Sequence, residues 1–408
     1  MHISGFHGAH LTYCLNIHPG ETWEENVVAI RQYAAKVRDL VAPGGAFGLG
    51  LRLSRRAVGT LGDPVHLQAF KRMLADNRMY AFTINGFPFG AFHGTTVKTD
   101  VYRPDWRQPE RLDYTCRLAE VLAAVLPEGM DGSISTLPVS YREWMKEECD
   151  YQAAVEHLAA CAARLHELRD RTGCEVHLGL EPEPDCALET TEDVVDFFER
   201  RLLPGGAKWL GDHCGLPARE TEGVLRRHIG VCFDTCHMSV QFASLEQGIT
   251  ALVGRGIRIS KVQISAALRT MVGPDSAGRL EAFVDPVYLH QVKMMDAEGH
   301  KQSHPDMTRE LLAAWRCAPA AGECRIHFHV PLYVSEYDGI ESTAADISPS
   351  FLLSAAKAGV RHFEIETYTF NVLPPALRRQ AVEQSIAGEY AWVIERFQKS
   401  AGKGRRGQ

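Results

Sequence analysis

Short apolar runs alternate along the chain with longer segments whose apolar positions recur every three or four residues. The short runs read as strands: Leu11–Asn16, Phe47–Leu53, Tyr80–Asn85, Ser133–Leu137, Val176–Glu181, Gly230–Cys236, Lys261–Ser265, Arg325–Val330 and His362–Glu366. The periodic segments read as helices. Val27, Ile30, Ala34, Val37 and Val41 share one helical face, Thr22 with Glu25 forms a capping box before it, and Pro43-Gly44-Gly45 ends it. Further helices are expected over His66–Asn77, near Glu110–Leu126, and over Tyr151–Arg171, Thr191–Leu203, Leu245–Arg255 and Pro375–Gln398.

Strands that alternate with helices of ten to twenty residues predict a parallel sheet. Runs that are apolar on both faces, recurring over most of the chain, favour a closed (β/α)8 TIM barrel over an open sheet. No glycine-rich phosphate fingerprint follows the first strand, which disfavours a dinucleotide fold. Nine candidate strands are one too many for the barrel, and the surplus is expected inside an extra segment at about 266–335, where the repeat breaks. The expected organisation is one domain over 1–400 with that late insertion, followed by a disordered tail at 401–408.

Composition narrows the function classes. The 408 residues are 45% hydrophobic and 23% charged, as in ordinary soluble proteins. A net charge of −7 and the lack of a basic aromatic stripe argue against a nucleic-acid partner. No apolar run reaches the roughly 20 residues that span a bilayer, so no membrane insertion is expected. Met1–His10 lacks the basic and apolar regions of a secretory signal. The 11 cysteines are scattered without a CxxC pair, which suits reduced thiols and a cytoplasmic location better than a disulfide framework or structural zinc.

In such a barrel the chemistry collects at the C-terminal ends of the strands. Those ends carry His18, then Asn85 and His93, then Glu181 with Glu183 and Asp185, then Asp234 and His237, then Gln263. His327 and His329 lie in Arg325–Val330, and Glu364 and Glu366 in the last strand. Alternation places each of these pairs on one face, with Glu366 and His329 nearer the mouth than Glu364 and His327. Taken singly, Glu183 and Asp185 serve as helix caps, and His18 or His93 as hydrogen-bonded structural residues. Taken together, Glu181, Asp234, His237 and Glu366 place charge inside an apolar frame, and buried charge needs a partner or a metal. Oxygen and imidazole donors without thiolate suit a divalent ion such as Mn²⁺, Mg²⁺, Zn²⁺, Fe²⁺ or Co²⁺.

Leu180-Glu181-Pro182, Phe233-Asp234-Thr235-Cys236-His237, Lys261-Val262-Gln263 and Phe363–Thr367 occur in the order that resembles the xylose-isomerase-like TIM-barrel superfamily. More closely, Asn16–Trp23, Thr83–Gly90, Val101–Trp106, Gly179–Cys186 and Glu366–Phe370 resemble the metabolite traffic protein EboE family over nearly the whole chain. The superfamily resemblance implies metal ligands at Glu181, Asp234, His237 and Glu366, with Glu364 as the lesser alternative to the last. A seventh-strand ligand, usually His, falls on Gln263, a weaker neutral donor. His327 or His329 takes that place if their stretch folds back to the mouth. His290 and Asp285 are further candidates for a second metal.

Three functions follow. The first is a metal-dependent isomerase or epimerase acting on a sugar, polyol or cyclitol-like metabolite, with Glu181 and Glu366 exchanging a proton beside a carbonyl; the EboE resemblance implies that it makes the precursor of an exported metabolite. Arg52, Lys98 or Lys261 then binds an anionic substrate. The second is a small phosphoesterase, like endonuclease IV in chemistry, with His18 and His93 as extra ligands. The third is a metabolite-binding protein that kept the barrel and lost catalysis, which the glutamine at Gln263 invites. The expected partner in each is a small-molecule metabolite.

Overall fold

The computed structural model describes residues 1–6, 8–93, 96–317 and 322–404. Eight strands run parallel: β1 (His10–Tyr13), β2 (Phe47–Arg52), β3 (Met79–Asn85), β4 (Gly132–Thr136), β5 (Val176–Leu180), β6 (Ile229–Asp234), β7 (Ile259–Ile264) and β14 (His362–Ile365). Their order is β1-β14-β7-β6-β5-β4-β3-β2. A parallel bridge between Cys14 and Gly50 joins the two ends. The Thr12 hydroxyl donates to the Gly48 carbonyl at 2.9 Å beside it. The sheet thereby closes into the expected (β/α)8 barrel.

Helices form where the periodicity places them. The Thr22–Glu25 capping box opens Trp23–Ala29, which continues through a π turn into Ala35–Val41. Helices at Pro64–Asp76, Pro109–Val125, Glu148–Thr172 and Leu245–Gly254 follow. Thr191–Phe197 runs on through a π turn to Cys214, well past the expected end at Leu203. The last helix starts at Val382 rather than Pro375, because Pro375–Leu377 is only a 3₁₀ turn. It extends to Gly404, so the first residues of the expected tail are helical, and residues 405–408 lie outside the described residues. No described helix is long and apolar enough to cross a membrane.

The barrel interior is polar. Gln263 pairs in register with Asp234 on one side and Glu364 on the other, which sets these three at one level. Lys261, one step deeper, is fully buried and pairs with the equally buried Glu364 at 2.5 Å. A Cβ at Gly50 would overlap the Glu364 carboxylate, which explains the Gly-Leu-Gly-Leu reading of β2.

Residues 266–342 form a second, antiparallel sheet: β8 (Ala266–Met271), β9 (Val292–Met295), β10 (Lys301–His304), β11 (Glu323–Val330), β12 (Glu336–Tyr337) and β13 (Ile340–Ser342), in the order β10-β9-β11-β8-β13-β12. The surplus strand Arg325–Val330 is therefore β11, outside the barrel. Polar ties fasten this sheet to the loops after β5 and β6. Lys293 Nζ reaches Asp185 at 2.6 Å and Glu189 at 2.5 Å, and Lys301 Nζ donates to the Gln241 carbonyl at 2.7 Å.

Candidate metal centre

The sequence Asp234-Thr235-Cys236-His237 turns a strand end into a ligand pair by helix capping. β6 passes directly into a helix over Thr235–Val240, with Asp234 as its N-cap. Asp234 Oδ1 accepts from the His237 amide at 3.0 Å and from the Ser265 hydroxyl at 2.7 Å. This capping bond, of a kind contributing about 1 kcal/mol, fixes the two side chains one helical turn apart. Asp234 Oδ2 is left buried without a partner.

Glu181 follows β5 directly, and its Oε2 is also buried and partnerless. Glu366 follows β14. Its Oε1 accepts from Asn16 Nδ2 and Asn85 Nδ2, each at 2.8 Å. Ligand oxygens of Glu181, Asp234 and Glu366 lie within 4.8 Å of one another. Carboxylates this close in a buried floor repel unless protons or a cation intervene. Burial pushes the Glu181 carboxyl well above the usual carboxylate range, and the charge of Asp234 adds to it. Glu366 is raised in the same way, by burial first and by Glu181 next. For Asp234, burial opposes ionisation, but His237, His329 and the Ser265 hydroxyl outweigh it and hold the carboxyl low. Orphaned oxygens on separate strands, converging on one point, are the donor set that a divalent ion requires.

The inserted sheet adds His327 and His329, and both reach the centre, so the expected preference for His329 does not separate them. Nε2 of His327 lies 3.0 Å from His237 Nε2 and 3.1 Å from His329 Nε2. The register of β11 against β8 slips between Ile326 and Val330, so these two histidines occupy an irregularity that frees them from regular pairing. His290 Nδ1 donates to the His327 carbonyl at 2.7 Å, fixing that backbone.

Above the floor lies a cavity of about 510 Å³ of atom-free space. Glu181, Glu183, His237, His327 and Glu366 line its depth. Phe92, Tyr288 and Tyr368 form an aromatic rim. Glu183, read from sequence as a helix cap, is 5% exposed and faces this cavity. The Tyr102 hydroxyl donates to its Oε1 at 2.9 Å, its Oε2 is partnerless, and burial pushes its pKa up to about 7. Only its place in the Glu-Pro-Glu-Pro run, two residues beyond Glu181, could have marked it.

The remaining candidates are held elsewhere. His18 stacks on Tyr33 and meets the Tyr13 hydroxyl at 3.1 Å, away from the cavity. His93 donates from Nε2 to the Asn16 carbonyl at 2.7 Å and accepts from Tyr288 at Nδ1, so neither nitrogen is left to ligate. His290 spends Nδ1 on the His327 carbonyl and Nε2 on Asp285 at 3.2 Å. Arg52 is buried against Glu21 at 3.0 Å and the Gly20 carbonyl at 3.1 Å. Lys261 and Glu364 satisfy each other below the floor. Lys98 lines the cavity, but its ammonium binds Asp306 at 2.6 Å and two carbonyls. Gln263 Oε1 accepts from the Cys232 thiol at 3.0 Å and its amide nitrogen is partnerless, which directs this side chain to the β6 neighbour rather than to the carboxylate triad.

No family model and no curated protein matches the sequence. Among solved structures, the chain is similar to a xylose isomerase domain protein from Planctomyces limnophilus, at 14% identity over 90% of this chain and 93% of that chain, with a TM-score of 0.46. It is also similar to a xylose isomerase domain protein from Alicyclobacillus acidocaldarius, at 11% identity over 96% and 99% of the two chains, with a TM-score of 0.44. The probable 3-DHS dehydratase AsbF from Bacillus anthracis matches at 12% identity over 94% and 98%, with a TM-score of 0.42. At these values the likeness adds no argument to the barrel, which rests on its own strand order.

Proposed function

We propose that the protein is a divalent-metal-dependent isomerase or epimerase acting on a small polyhydroxylated metabolite such as a sugar, polyol or cyclitol. One observation carries this reading. Glu181 and Glu366, two carboxyls whose proton affinity burial has raised, face one cavity from strands three places apart in the ring. A carboxyl whose proton affinity is raised takes a proton from carbon more readily than an ordinary carboxylate does. Glu181 has the free Oε2 to take the proton. Glu366, oriented by the amides of Asn16 and Asn85, is placed to return it. Glu183 offers a further oxygen to substrate hydroxyls, and the aromatic rim keeps bulk water from the reacting carbon.

The donor set fits a divalent ion on Glu181, Asp234, His237 and Glu366, with His327 or His329 as a further donor in place of Gln263, whose Oε1 is taken by Cys232. Such an ion, when bound, supplies polarisation of the substrate carbonyl and its neighbouring hydroxyl. The EboE resemblance adds that the product is an exported metabolite or its precursor, made rather than carried by this chain.

The test is exchange of a substrate α-hydrogen with solvent deuterium over a panel of sugars and cyclitols. Exchange is expected from the metal-loaded protein, and Glu181→Gln and Glu366→Gln should each lose it. Tight binding of a metabolite without exchange would favour the non-catalytic reading. Hydrolysis of a small phosphoester is the second reading, favoured by the histidine group. It is opposed by a cavity whose lining ammonium, Lys98, is already taken by Asp306.

A further inference from the structure

The cavity above the carboxylates has two ends of opposite chemistry. Its floor carries Glu181, Glu183 and Glu366, and its wall carries Phe92, Val97, Val101, Tyr288 and Tyr368. Phe92, Val97 and Tyr288 form a small apolar cluster separate from the core of the barrel. The Phe92 ring lies 5.1 Å from Tyr288 and 5.3 Å from Tyr368, and those two rings lie 5.1 Å from each other. Three distant stretches supply this wall: the loop after β3, the loop before β9 and the turn after β14. Backbone bonds fix the first of them in place. The Val97 and Lys98 amides donate to the Val287 carbonyl at 2.8 and 3.1 Å, and the Phe92 amide donates to Glu21 Oε1 at 2.6 Å.

The polar atoms along this wall are already engaged. The Tyr288 hydroxyl meets His93 Nδ1 at 2.9 Å, and the Tyr102 hydroxyl donates to Glu183 at 2.9 Å. Lys98 is the one lysine or arginine among the described residues of the lining. Its ammonium has three protons and three acceptors, the Asp285 carbonyl at 2.9 Å, the Tyr288 carbonyl at 2.7 Å and Asp306 at 2.6 Å. A sugar hydroxyl laid against the wall would lose its water and gain no partner, and a phosphate would lose more. A hydrocarbon group there loses nothing and leaves water. We propose that the substrate carries a hydrocarbon substituent, alkyl or aryl, on its polyhydroxylated head, with the head on the carboxylate floor and the substituent against Phe92, Val97, Tyr288 and Tyr368. This rests on the isomerase reading for the head alone.

The experiment titrates the full Mn²⁺-loaded chain calorimetrically with 6-O-methyl and 6-O-butyl ethers of glucose and of fructose, and with methyl and butyl monoethers of myo-inositol. Burial strengthens binding about three- to fourfold per methylene, so on the head that fits the floor the butyl ether should bind about 30–60-fold tighter than the methyl ether. Its heat-capacity change on binding should also be the more negative. Phe92→Ala and Tyr288→Ala should each cut the butyl-to-methyl ratio at least about fivefold, whereas Tyr288→Phe, which keeps the ring, should preserve it. Folding of each variant is checked by circular dichroism. Equal affinities for methyl and butyl ethers on all three heads, or a ratio unchanged in folded Phe92→Ala, would overturn the proposal. Hydrogen–deuterium exchange on the same ethers separates the two readings. A butyl gain without exchange fails the isomerase reading and leaves this one standing, and exchange without a gain does the reverse.

Discussion

Lys261 and Glu364 form an ion pair with no exposure on either side chain, at 2.5 Å, directly below the candidate metal centre. Burial disfavours the Lys261 ammonium, but the Glu364 charge more than compensates and raises its pKa above the ordinary lysine value. Replacing Lys261 by Met keeps the volume and strands Glu364, whose Oε1 already lacks a partner. Deleting one member of a buried pair costs about 3–5 kcal/mol. At about 2.1 cal/mol/K per residue, a chain of 408 residues unfolds with an entropy of about 0.9 kcal/mol/K. Lys261→Met should therefore lower Tm by about 3–6 °C. The double variant Lys261→Met/Glu364→Gln removes both charges and should return to within about 1–2 kcal/mol of wild type. Thermal melts of the four proteins, at one pH and one metal state, give a double-mutant cycle with an expected coupling of at least about 2 kcal/mol. Additive losses, or a Lys261→Met protein as stable as wild type, would refute the reasoning.

Other outcomes follow from the same geometry. Asn16→Ala and Asn85→Ala each free Glu366 Oε1 from one amide, and each should weaken Mn²⁺ binding about 10–100-fold by titration calorimetry. Unchanged affinity in both would contradict the orienting role. Mn²⁺ should compete with protons for Glu181 and Glu366, whose pKa values burial raises, so affinity rises with pH and the binding heat varies with buffer ionisation enthalpy; a buffer-independent heat would contradict it. Glu389 is fully buried, accepting from the Thr367 hydroxyl at 2.6 Å and the Leu332 amide at 3.2 Å, and burial raises its pKa from 4.5 to about 7. A group raised in the folded state contributes stability below its unfolded value that is lost as pH climbs through the folded one. Stability should thus fall by up to about 3 kcal/mol between about pH 4.5 and pH 7 from this residue and level off above that. Glu389→Gln should flatten that part of the profile, and an identical profile would count against the burial argument.

The barrel was legible because each of its strands is buried on both faces and so reads as an apolar run, as in Phe47–Arg52 and Ile229–Asp234. The second sheet was not, because antiparallel edge strands do not need such runs. Lys301–His304 is polar and largely exposed, and Glu336–Tyr337 has only two residues. Arg325–Val330 stood out because it lies in the middle of that sheet. Asp234, His237 and Glu181 were legible as polar residues ending apolar strands. Three-dimensional proximity decided the rest. Nothing in the spacing tells that His327 meets His237 across 90 residues, or that Asn16 reaches Glu366 across 350. His18 and His93, read singly as hydrogen-bonded structural residues, sit in that way, though no local pattern announces their partners, an aromatic stack and a carbonyl.

Glu181, Asp234 and Glu366 are proposed to hold a metal together. Anomalous diffraction from crystals of the Mn²⁺-loaded protein tests it directly. A peak is expected about 2.0–2.3 Å from an oxygen of each of these three carboxylates, and no peak there in Glu181→Gln. No peak at the barrel mouth, or one confined to the surface group of Asp296, Glu298 and His300, would contradict it.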